Sequence, residues 1–142
     1  MNDRNKFPKF LLDKVTWDFT ARDEFSSQEK FNDAVMRYNV EAFEDDNQYN
    51  FEEESNFNEI VLESSIILVN YYADPPDEKA GFYITEIRSE NGVDFSNGEL
   101  FYKLHNSVVH RLKNSGHCYF EGLEFTQTDS NERPIYEMIG GS

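Results

Sequence analysis

The chain of 142 residues has one cysteine, Cys118, and only four prolines and seven glycines; between Tyr38 and Glu78 it has no lysine, arginine or histidine. A single cysteine excludes an intramolecular disulfide framework and suits a reducing compartment. The few prolines and glycines form no low-complexity linker, and no internal repeat is visible, so one domain over residues 1–142 is expected. The longest aliphatic run, Ile66-Ile67-Leu68-Val69, is far short of the ~20 apolar residues of a membrane helix. The polar start Met1 to Lys6 has no apolar segment behind it, so no secretory signal is expected. Together these absences point to a soluble, cytoplasmic protein. Also missing are the G-x-S-x-G elbow, the phosphate-binding loop, the dinucleotide fingerprint and the CxxC pair. No catalytic motif and no cofactor are expected.

What is present is acid. The chain carries 28 acids against 13 bases, a formal charge of −15. Twelve of the acids fall in the cation-free window: Glu41, Glu44, Asp45, Asp46, Glu52, Glu53, Glu54, Glu59, Glu63, Asp74, Asp77 and Glu78. The remainder is close to balanced, so the excess is local and speaks of partners rather than of fold. Such a field argues against direct nucleic-acid binding, which needs cations to neutralise phosphates. It favours something basic, including a protein that itself binds nucleic acid.

Thirteen Phe, eight Tyr and one Trp compensate for an apolar fraction of 38%, because each ring buries ~150–250 Å². Residues 1–12 are expected to be loose. Val15, Trp17 and Phe19 alternate with polar residues, the period-2 pattern of a half-buried strand. Ser26-Ser-Gln-Glu29 reads as a capping box opening a helix from about 27 to 43, with Phe31, Ala34, Val35, Tyr38 and Ala42 inward. A long acidic loop follows over residues 44–58. Strands are expected at 65–72, broken by Pro75 and Pro76, and at 81–88, ended by the turn Glu90-Asn-Gly92. Ser96-Asn-Gly-Glu99 opens a second helix, stapled by Phe95 and Leu100, with Leu104, Val108 and Leu112 inward and Gly116 as the stop. Residues 118–126 and 135–139 form a terminal hairpin around Asp129 to Arg133. The order β-α-β-β-α-β-β predicts an α+β two-layer sandwich: two helices on a mainly antiparallel sheet of about five strands. A ferredoxin-like core with one added strand is the nearest named arrangement.

The candidate site is the acidic loop. It does not fit a calcium loop: counted from Asp45, position five is Tyr49, position six Asn50 and position twelve Asn56. Metal binding is not expected. Two readings remain: a solvated loop, or a partner-binding surface of Glu44, Asp45, Asp46, Tyr49, Phe51, Glu52, Glu53, Glu54 and Phe57. The second gains from aromatic residues, Phe43 among them, lying between carboxylates. Interface anchors are often aromatic and ringed by polar groups, and carboxylates offer bidentate acceptors to arginine. The competing explanation is that these rings fold back onto the core.

His105 and His110, about 140° apart on a helix, read as partly exposed helix residues. His117 and Cys118 point to opposite sides of a strand and cannot pair as base and nucleophile. Cys118 is expected to be buried and inert. Glu121, placed by alternation on the side of Tyr119 and Leu123, is a general acid only if that side is the core.

Three functions follow. The first is a non-enzymatic inhibitor masking a basic site on a protein, such as an immunity protein that neutralises a bacterial nuclease toxin. The second is an assembly or adaptor subunit using its sheet edge or the terminal hairpin, with 135–139 as an edge strand. The third is a small hydrolase-type enzyme built on Glu121 and a helix histidine. The charge favours the first.

Overall fold

The computed structural model describes residues 7–48, 50–51, 56–116 and 118–141. In chain order its elements are β1 (Phe10–Leu11), β2 (Trp17–Asp18), α1 (Gln28–Ala42), β3 (Ile60–Leu62), β4 (Ile66–Ala73) and β5 (Gly81–Arg88). They continue with β6 (Phe95–Ser96), α2 (Asn97–Leu112), β7 (Tyr119–Thr128) and β8 (Pro134–Gly141). Six strands form one sheet in the order β1-β7-β8-β4-β5, with β2 on the same edge of β7 as a second short partner; β3 and β6 form a separate pair. All pairings are antiparallel except β4 with β8. The class is α+β, two helices on a mixed sheet.

Both helices start as side-chain chemistry dictates, with one shift. Ser27, not Ser26, caps α1: its oxygen accepts from the Lys30 N–H at 3.2 Å, which moves Glu29 out of box register. Ser96 caps α2, accepting from the Glu99 N–H at 3.2 Å. The Glu99 carboxylate does not complete a box; it accepts from the Glu90 N–H and holds Lys103. Phe95 and Leu100 are both fully buried, as a staple requires. On α2 the stripe Leu100, Phe101, Leu104, Val108 and Leu112 is wholly buried. It meets Phe31 and Val35 of α1 and the inward residues Ile67, Val69 and Tyr71 of β4 in one core. Val15, Trp17 and Phe19 face inward as alternation predicts. Ala42, by contrast, is exposed.

Three expectations are corrected. The described part of the first twelve residues is not loose: Phe7, Leu11 and Leu12 are buried, the Phe125 N–H donates to Lys9 O, and the Tyr136 hydroxyl donates to Pro8 O. The strand order departs from the ferredoxin-like one, because β8 occupies the sheet's interior and β2 is left on the outer side of β7. Residues 135–139 are therefore not an edge strand: β8 is bonded on one side by β7 and on the other by β4. With Tyr136 fully buried and Ile135, Met138 and Ile139 half-buried, β8 suits an interior place that the two-residue β2 cannot fill. The described free edge beyond β4 is β5.

Candidate functional site

The acidic window starts where α1 ends. Glu41 stands in the last turn, and Glu44, Asp45 and Asp46 follow the capping residue Phe43; all four acids are exposed. The chain there is compact. The Phe43 N–H donates to Asn39 O, Glu44 to Glu41 O and Asp46 to Phe43 O, and one Asp46 carboxylate oxygen accepts from the Gln48 N–H at 2.9 Å. The last turn of α1 contains no basic residue. Carboxylates are thus placed at the negative end of a helix, which attracts cations and disfavours acids.

The ion-paired cations among the described residues lie elsewhere. On α2, Lys103 pairs with Glu90 and Glu99 and Arg111 with Glu78, and the capping residue Lys113 pairs with Asp23. Of the nine window acids among the described residues, only Glu78 has an ion-pair partner. The basic face of α2 does not neutralise the end of α1.

The expected aromatic anchors divide. Tyr49 and Glu52, Glu53 and Glu54 lie outside the described residues. Phe51 is 7% exposed and belongs to the core; Phe57, half-buried, meets it edge-on with ring centres 5.1 Å apart. These two rings fold back onto the core, and neither is a projecting anchor. Phe57 O accepts from the Gly98 N–H at 2.9 Å and Asn56 O from the Asn97 side chain at 3.0 Å. These bonds sew the far end of the loop to the start of α2, whose first N–H groups have no partner within the helix. Of the expected site, the described residues that stay exposed are carboxylates, Glu44, Asp45 and Asp46, joined by Glu41.

Groups suited to acid–base chemistry do not converge. His105, expected to be partly exposed, is fully buried; Nδ1 accepts from the Trp17 indole N–H at 3.1 Å, and Nε2 faces Asp23 O at 2.9 Å. Burial pulls its pKa down to about 4, so the ring is neutral. His110 is exposed, and His117 lies outside the described residues. Cys118 is buried, with Sγ 2.8 Å from the Thr20 hydroxyl. Glu121 is exposed, because the β7–β8 register shifts between Phe120 and Gly122. That bulge breaks the alternation that grouped Glu121 with Leu123, and Phe120 and Leu123 both face the core. The acid needed for the Glu121 enzyme is therefore in water, and that reading ends. Among the described residues, no three His, Cys, Asp or Glu side chains gather as metal ligands, and no helix is long and apolar enough to cross a membrane.

Sequence reasoning missed Asn39, a fully buried polar residue on α1. Its Oδ1 accepts from the Thr16 N–H at 2.8 Å, and its Nδ2 donates to Thr16 O and Val35 O at 2.9 and 2.8 Å. It acts as a strand partner for Thr16 and anchors the acidic end of α1 to the sheet layer. A polar residue at i+4 from Val35 on the apolar stripe is the signal that could have found it. Comparisons with protein-family models, curated proteins and solved structures return no match.

Proposed function

We propose that the protein is a non-enzymatic binding protein whose acidic end of α1 receives a basic site on a protein partner. The observation that carries this reading is the unneutralised cluster Glu41, Glu44, Asp45 and Asp46, exposed at the negative end of a helix that Asn39 fixes to the core. Carboxylates there repel one another and the helix dipole, and a cation from outside relieves both. Rigid backing means a partner meets carboxylates already in place, which accelerates encounter and suppresses wrong partners. The most concrete form is a cytoplasmic inhibitor that covers the cationic substrate groove of a nuclease, as a toxin-neutralising immunity protein does. Such a groove must be basic to hold phosphates, and an acidic surface is the complementary occluder.

The test is affinity capture from native cell extract at low and high salt. It compares the wild-type chain with a variant carrying Glu41→Gln, Glu44→Gln, Asp45→Asn and Asp46→Asn together. A basic protein retained at low salt by the wild type, released by salt and lost with the variant is the expected result. Equal capture of the same protein by the variant, or capture of no basic protein, overturns the reading.

A further inference from the structure

A second surface, independent of the acidic one, lies on β5. Among the described residues this strand pairs with β4 alone, and the other side of β5 is the open edge of the sheet. The direction of its backbone groups follows from the register. The Ser89 N–H donates to Ser65 O at 2.9 Å, one step beyond the pair Ile66 and Arg88. In an antiparallel ladder bonded and non-bonded pairs alternate, so Tyr83, Thr85 and Ile87 bond inward to β4. Phe82, Ile84, Glu86 and Arg88 turn their N–H and C=O groups to the open side. Arg88 O is taken by the Lys103 ammonium at 2.8 Å, which closes one end. The groups of Phe82, Ile84 and Glu86 remain.

Two of these residues, Phe82 and Ile84, carry exposed apolar side chains. Phe82 is 65% exposed and Ile84 60%, on the sheet face away from the helices. Natural edges are usually blunted by charge, proline or a bulge; residues 81–85, Gly-Phe-Tyr-Ile-Thr, carry none of these.

Charge selects the occupant. Six of the eight ion pairs among the described residues surround β5 through Arg88, Arg133, Lys103 and Arg111. In a chain of net charge −15 this is the balanced region, the opposite of the end of α1. A basic partner gains nothing there, whereas a second copy meets least repulsion there. We infer that β5 pairs edge to edge with β5 of a second copy of this chain, joining the two sheets across a two-fold axis. A two-fold normal to the sheet makes the two strands antiparallel and the contact isologous. Centred near Tyr83, it sets Phe82 of each copy opposite Ile84 of the other, so the apolar residues cover one another reciprocally.

Sedimentation of the full chain over rising concentration, at ~0.05 M and ~0.5 M NaCl, tests this together with amide exchange. Dimer should form with concentration and strengthen with salt, because screening weakens the repulsion between two anionic molecules. This is the reverse of the salt response of the acidic site. Amides of Phe82 and Ile84 should slow at least tenfold on dimerisation, while those of Tyr83, Thr85 and Ile87 are slow throughout. Ile84→Lys should weaken the dimer at least tenfold, with Ile60→Lys, at an exposed position on β3, as the unaffected control. A monomer under all conditions, a dimer undisturbed by Ile84→Lys, or a dimer whose Phe82 and Ile84 amides still exchange fast overturns the proposal.

Discussion

His105 is held neutral from both sides of its ring. Nδ1 must be an acceptor because the indole N–H of Trp17 can only donate, and Nε2 must then carry the proton given to Asp23 O. Phe19 stacks on the ring, and Phe25 and Phe31 close around it, with centres 5.5, 5.2 and 4.9 Å away. A second proton on Nδ1 would abolish the bond to Trp17 and place a charge among aromatic rings. Burial therefore lowers the folded pKa to about 4 from 6.5, with Arg22 adding to the effect and the bond to Asp23 opposing it. The unfolded chain binds this proton first as pH falls, so the contribution to stability is complete above about 6.5 and lost toward 4. The full loss is on the order of 3 kcal/mol. Urea titrations of wild type and His105→Gln at several pH values should show curves that converge from pH 7 to pH 4. A constant gap would mean that the ring is accessible to solvent protons in the folded state.

Gly122 shows how an element can redirect a residue that its sequence pattern places elsewhere. Its φ is +132°, and a Cβ there would meet the backbone of Asp13 at 3.0 Å, so the β7 bulge has room for glycine alone. Gly122→Ala should cost ~1–3 kcal/mol in chemical unfolding, whereas Glu121→Gln should leave stability unchanged. A stable Gly122→Ala beside a destabilised Glu121→Gln would mean that the Glu121 carboxylate, not the bulge, holds the strand. The same bulge marks the limit of what was legible in the sequence. Caps, stripes and alternation are local, and they placed α1, α2, β4, β5 and the β7–β8 hairpin within a residue or two. The interior place of β8, the ordering of Phe7 to Leu12 and the burial of His105 depend on partners far along the chain. Tyr136 reaches back to Pro8, and Trp17 reaches forward to His105. At the candidate site, the exposure of Glu44, Asp45 and Asp46 follows from composition alone. The inward turn of Phe51 and Phe57 does not, because aromatic residues among acids suit an anchor and a core equally well.

Across the described residues, charge is segregated: balanced ion pairs surround β5 while the end of α1 holds carboxylates without ion-pair partners. Segregation of this kind opposes folding, since like charges repel and face the negative end of a helix. If binding is what this arrangement serves, stability and affinity should move in opposite directions when it is removed. Replacing Glu44 and Asp45 with lysine supplies cations to the end of α1 and lowers the magnitude of the net charge. At low salt this should raise the Tm by about 2–4 °C and abolish capture of the basic partner. The gain should shrink in ~0.5 M NaCl, where exposed charges are screened beyond about 4 Å. Glu24→Lys and Glu132→Lys, on exposed acids outside the window, change the net charge equally and should leave capture intact. A fall in Tm for the α1 variant would show that these carboxylates support the fold. Loss of capture in the control would show that total charge, not its placement at the end of α1, governs recognition.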